Sequence, residues 1–279
     1  HVDVFASCSI EAFIALQRLD FFNDNATFGS GILTVNGGIL QASTGGLTLA
    51  NLITVGTNGM TIQGGNDLTL GSAISGVGGL TKSGAGLLTL NTANTYAGAT
   101  TLNGGTVALG NNQALSTGTI NVTGASTLSA PGTINLSNAI ILGAGLTTAS
   151  TGALTLSGLL TGSSGLTKTG SGSLTLSGAN TGYSGATALS AGTLLVTNNN
   201  SLGSGALNTA AGTSLDSTAN VTLANNIGMT GALNVLGSNA LSLAGVLSGA
   251  GSLTKNGTAC LTVTGAHAGS GDAVLGGGG

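Results

Sequence analysis

The stretch LTKSGAGLLTLNTANTYAGATTLNGGTV, running from Leu80 to Val107, decides how this chain is read. Its opening LTKSGAGLLTL returns as LTKTGSGSLTL from Leu166 and as LTKNGTACLTV from Leu253, at offsets of 86 and 87 residues. The first two copies continue in parallel, the second as NTGYSGATALSAGTL to Leu194, with Gly182 as the single insertion. Upstream, LTLGSAISG at Leu68 recurs as LTLSGLLTG at Leu154 and LSLAGVLSG at Leu241, and LTVNGG from Leu33 is a partial earlier copy. Self-similarity at a fixed period marks a repeat architecture.

A finer pattern runs inside each long repeat: an apolar–polar–apolar triplet bounded by Gly, Asn or Ser. Leu47-Thr48-Leu49, Ile53-Thr54-Val55, Ile120-Asn121-Val122 and Leu233-Asn234-Val235 are examples. Alternate side chains of a strand face opposite sides, so each triplet buries two aliphatics and shows one Thr or Asn to water. The Gly and Asn clusters between triplets supply corners that need positive φ. Short parallel strands with tight corners and no long crossovers describe an all-β, three-sided β-solenoid. If each block is four coils, a coil holds about 21 or 22 residues, and the chain about eleven or twelve coils. A β-sandwich would use longer strands and a core aromatic, and would not repeat at 86 residues.

Composition agrees. Of 279 residues only eleven are charged, four Lys or Arg and seven Asp or Glu, while 52 are glycine and one is proline. Stacked coils set equivalent positions above one another, so charges would repel where Thr and Asn hydrogen-bond. A net charge of −3 leaves no basic surface for phosphate, so nucleic acid is not an expected partner. Glycine interrupts every apolar run well short of the roughly 18 residues of a membrane helix, so no such insertion of this chain is expected.

The order of Leu-Thr-Lys, Gly-x-Gly, Leu-Thr-Leu, Asn-Thr-Tyr-x-Gly and Gly-Gly-Thr resembles the passenger-associated transport repeat of bacterial autotransporters. The resemblance covers the blocks from Leu80, Leu166 and Leu253. The third departs, with His267 at the Asn180 position and Ser270 at the Tyr183 position. It implies a right-handed parallel β-helix over residues 29–279, type V secretion, and a place at the outer cell surface or outside the cell. It implies no particular activity. With no translocator-like run of strands and no signal peptide, the chain reads as a processed passenger or a fragment.

Residues 1–28 differ in composition: they hold all five Phe, the only Arg and four of the seven acids. Ser9 is placed to N-cap a helix from Ile10 to about Leu19, with Ile10, Phe13 and Ile14 on one face. Such a segment either caps its own first coil or docks on the last coil of a second copy, giving a head-to-tail filament. Phe5, Cys8, Ile10, Phe13, Ile14, Phe21, Phe22 and Cys260 are the residues expected to carry that self-association. Cys8 and Cys260 would lie about 50 Å apart on one straight rod, too far for an internal disulfide but close across a head-to-tail junction. The other reading is two unpaired small residues.

Chemistry is sparse. Asp67 is the one carboxylate between Asp24 and Asp216, and the histidines are His1 and His267, so general acid–base work lacks its groups. No catalytic residue, metal ligand or cofactor is expected; GVGGLTKS at Gly76 only superficially resembles a phosphate loop, lacking Gly directly before Lys82. The repeat markers are Lys82, Lys168 and Lys255, read as isolated solubilising charges four coils apart, and Tyr96 and Tyr183, read as a structural corner ring. The expected function is a non-enzymatic extracellular structural rod, a cell-surface or matrix scaffold. The alternative is an adhesin binding surface or matrix glycans through its Thr and Asn ladders.

Overall fold

The computed structural model describes residues 14–16, 19–22, 28–271 and 273–275. Among them there is no helix, and every strand pairing is parallel. Two compact units, His1–Ser129 and Ala130–Gly279, are built on one plan.

In the first unit three sheets alternate along the chain, one per side of the coil. The first takes Ile14–Leu16, Leu33–Val35, Ile53–Val55 and Ile74–Gly76. The second takes Leu19–Phe22, Gly38–Ala42, Met60–Ile62, Leu80–Lys82, Thr100–Leu102 and Ile120–Val122. The third takes Leu47–Leu49, Leu68–Leu70, Leu87–Leu90, Gly105–Leu109 and Ser126–Ser129. The triplets are the strands: Leu33, Val35, Ile53 and Val55 are buried while Thr34 and Thr54 between them are half-buried. Pairing in register stacks like on like, so Leu68, Leu88 and Val107 form one inward column. Each such buried side chain contributes about 1.5–3 kcal/mol relative to exposure.

Most coils are shorter than expected, although Leu47 to Leu68 and Leu166 to Thr187 step by 21 residues and Gly38 to Met60 by 22. Met60, Leu80, Thr100 and Ile120 are register partners at steps of 20 residues, not 21 or 22. Four such coils account for 80 of the 86 residues in a block, and the remaining six turn one corner. The repeat from Leu253 therefore begins one side further round than the repeat from Leu166. The second unit shows this directly. Leu166 lies in the sheet of Leu146–Ala149, Thr187–Leu189 and Leu207–Thr209, whereas Leu253 lies in that of Thr193–Val196, Thr213–Ser217 and Leu233–Val235. The remaining side carries Ile140–Leu142 and Leu160–Gly162, then an interruption at Tyr183, then Val221–Leu223, Leu241–Leu243 and Leu261–Val263.

The helix expected to Leu19 is corrected from Ile14 onward; Ile10 and Phe13 lie outside the described residues. Ile14–Leu16 pairs with Leu33–Val35, and Leu19–Phe22 with Gly38–Ala42. The spacing Ile14, Leu16 also fits a strand. A stacked coil offers Ile14–Leu16 and Leu19–Phe22 strand partners on the next coil, whereas an isolated helix of about ten residues is marginal in water.

Corners depend on glycine where the next coil leaves no room for a side chain. A Cβ on Gly162, at φ +105°, would sit 2.4 Å from the Leu142 carbonyl oxygen of the coil before.

Candidate functional site at the repeat corners

The lysines are inside. Lys82 pairs in register with Ile62 and Leu102, and Lys168 with Thr148 and Leu189, so both occupy inward positions of the coil. Their exposures are 2 % and 0 %, and that of Lys255 is 8 %. This corrects the reading of them as isolated solubilising charges. Their aliphatic stems fill core positions, and the ammonium groups reach a corner whose carbonyls point inward.

At the first corner Lys82 Nζ donates to the carbonyl oxygens of Ser83 at 3.1 Å, Gly84 at 2.8 Å and Gly104 at 3.4 Å. At the second, Lys168 Nζ donates to Thr169 at 2.7 Å, Gly170 at 2.8 Å and Ala191 at 3.3 Å. Lys255 Nζ donates to the Gly257 carbonyl. Gly84 and Gly170 both sit at φ +77°, the turn that aims these carbonyls back at the ammonium. A Cβ on Gly105 would lie 2.6 Å from Lys82 Nζ, and one on Gly192 2.9 Å from Lys168 Nζ. The glycine of the Gly-Gly-Thr element thus leaves room for the lysine tip. Burial lowers the pKa of Lys82 and Lys168 below the usual lysine value.

The tyrosines are buried corner plugs. Tyr96 is fully enclosed, with its phenol oxygen 2.5 Å from Thr100 Oγ1, and burial pushes its pKa far above the usual value against the pull of that bond. Tyr183, also enclosed, donates to the Ala186 carbonyl at 2.9 Å, and burial likewise raises its pKa. Neither ring offers a platform for a sugar. Beside each lies an asparagine whose role sequence reasoning missed. Asn94 Oδ1 accepts from Ile74 N at 2.8 Å while its Nδ2 donates to the Ala114 carbonyl at 2.6 Å. Asn180 does the same with Leu160 N at 2.8 Å and Ser201 O at 2.7 Å. Each amide spans three successive coils where the side carries no full strand. The signal was their matching place in the two copies, 86 residues apart.

The remaining chemical groups also hold backbone. Asp67 Oδ1 accepts from Leu87 N at 2.9 Å. Buried Asp216 accepts from Ser217 N, Ser238 N and Ser238 Oγ. His267 bridges to Leu247 and is exposed. Among the described residues no three His, Cys, Asp or Glu side chains gather where they would hold a metal ion. Outward, threonines stand in single columns such as Thr61, Thr81 and Thr101.

Of the residues expected to mediate self-association, Phe5, Cys8, Ile10 and Phe13 lie outside the described residues. Ile14 pairs with Leu33, Phe21 with Gln41 and Phe22 with Ala42. Cys260 is an exposed free thiol, its Sγ 3.6 Å from Thr262 Oγ1.

Stacked triplets, inward lysines and tyrosine plugs define the class of protein as a repeat-built parallel β-helix. The model of the family described as Passenger-associated-transport-repeat matches residues 80–109 and 166–196, so the chain carries two such repeats, consistent with the repeat domain of an autotransporter passenger. The stretch from Leu253, without the Asn and Tyr, is not among the matched residues. No curated protein and no solved structure matches the chain.

Proposed function

We propose that this chain is a non-enzymatic structural part of a secreted passenger, a scaffold or stalk at the cell surface or in the extracellular matrix. One observation carries the reading. Among the described residues able to do chemistry, Lys82, Lys168, Asp67, Asp216, Asn94 and Asn180 bind the backbone of their own or an adjacent coil, whereas Cys260 and His267 stand exposed without such a bond. A side chain engaged in that way holds the coil together, which is a structural task. The repeat family supports export to the outer surface or beyond.

End-to-end association of copies is part of this proposal, with Cys260 as an accessible marker of one junction. Electron microscopy of the purified chain tests it. Regular fibres, with a non-reducing electrophoretic ladder that collapses on reduction, support a filament. Dispersed particles and only monomer in an oxidised sample contradict it and leave a stalk.

A second reading, an adhesin for surface or matrix glycans, is favoured by the outward columns of threonine. Regularly spaced hydroxyls repeat at about 4.8 Å along such a sheet. Glycan-array binding lost on replacing Thr61, Thr81 and Thr101 together with valine would support it; unchanged binding would oppose it.

A further inference from the structure

The geometry points to an ammonium-binding cage at the corners after Leu80–Lys82 and Leu166–Thr169, whose ligand is the chain's own lysine and which ties that coil to the next. Three features carry this. First, the acceptors described for Lys82 and Lys168 are backbone carbonyls, and three carbonyls match the three N–H donors of a primary ammonium. Second, they come from two coils: Ser83 and Gly84 close the lysine's own corner, while Gly104 lies one coil on, as Ala191 does for Lys168. Third, the glycine after that distant carbonyl leaves space that a Cβ would fill, at Gly105 and at Gly192. The same arrangement appears in both matched repeats although the residues around it differ.

An inward charge is costly to desolvate, so a lysine that contributed only its stem would be better replaced by methionine. The cage supplies what methionine lacks, a cation with three N–H donors set among inward carbonyls. Removing the side chain beyond Cβ should leave a vacant site selective for primary alkylammonium ions. Such an ion brings both the donors and a stem, whereas tetramethylammonium brings charge without donors.

The test is thermal unfolding of the full chain carrying Lys82→Ala or Lys168→Ala, in n-propylammonium or tetramethylammonium chloride at equal ionic strength. The midpoint should fall in both variants and recover with rising n-propylammonium, with no recovery in tetramethylammonium and no such shift in the parent chain. Equal behaviour in the two salts overturns the cage, as does a Lys168→Met variant that unfolds with the parent. A measurement on the parent protects the test against variants that do not fold. Acylation followed by mass spectrometry should find Lys82 and Lys168 about tenfold or more slower than in denaturant, as for groups reached only by local opening. Equal rates in the two conditions would overturn it.

Discussion

Asn180 Oδ1 accepts the Leu160 backbone N–H at 2.8 Å, twenty residues back along the chain and one coil away. Its Nδ2 donates in the opposite direction to the Ser201 carbonyl. One side-chain amide does here what two peptide groups do elsewhere in the sheet. Asn180→Ala leaves a buried donor and a buried acceptor unpaired, at about 1–3 kcal/mol each. Asn180→Asp should be at least as damaging, because a carboxylate oxygen would face the Ser201 carbonyl. Urea unfolding monitored by circular dichroism checks both; midpoints equal to that of the parent would refute the role.

Glycines separate into those the stack requires and those it does not. Gly162→Ala places a Cβ against the Leu142 carbonyl oxygen at positive φ and should destabilise by more than about 1–3 kcal/mol, the range for backbone strain alone. Gly132, with ordinary φ and open space around its would-be Cβ, should accept alanine with no loss or a gain of about 0.4–1 kcal/mol. Unfolding midpoints of the two variants should therefore move in opposite directions, or only the first should move.

The core column predicts a graded response. Leu88 stacks between Leu68 and Val107 and is fully buried, so Leu88→Ala should cost about 2–5 kcal/mol. Thr89, the next residue, faces outward, and Thr89→Ala should change stability by no more than about 0.5 kcal/mol. Comparable losses at the two positions would contradict the assigned faces.

Stability should rise and then fall on the alkaline side. The folded pKa of Lys82 and Lys168 lies below the ordinary 10.5, so between the two values the unfolded chain holds more protons and stability grows with pH. The phenols act oppositely. Tyr96 and Tyr183 are raised above 10.0, so past that pH the unfolded chain has ionised them while the folded chain has not, and stability drops. The denaturation midpoint measured from pH 7 to 11.5 should peak near about pH 10. A steady decline from pH 8 would show that the lysines are not buried.

Much of the fold was legible because the triplets state it locally. Leu-Thr-Leu between glycines fixes a short strand, its inward pair and its corners, and the recurrence from Leu80 to Leu166 implies stacking. The coil length was not legible, since dividing 86 by four assumes that a repeat ends on the side where it began. The lysines were misread because charge ordinarily marks surface; only the neighbouring glycines, Gly84 and Gly105, hint that the tip turns inward. Tyr96 and Tyr183 were read as structural from their matching corners, and they are buried there. Asn94 and Asn180 look like ordinary turn residues in one dimension, and their reach across three coils appears only when the coils are stacked. At the N-terminus, Ile14 and Leu16 fit helix and strand alike, and pairing with Leu33–Val35 decides.

The 20-residue coil is tested most directly by disulfide trapping within one side. In a chain whose Cys8 and Cys260 are changed to serine, Thr81→Cys with Thr101→Cys places register partners on adjacent strands, about 4.8 Å apart. Thr81→Cys with Asn103→Cys, the partner that a 22-residue coil would require, spans more than about 7 Å, beyond disulfide reach. Mild oxidation followed by proteolysis and mass spectrometry should find the 81–101 bond and no 81–103 bond. An 81–103 bond without the other would contradict the 20-residue coil.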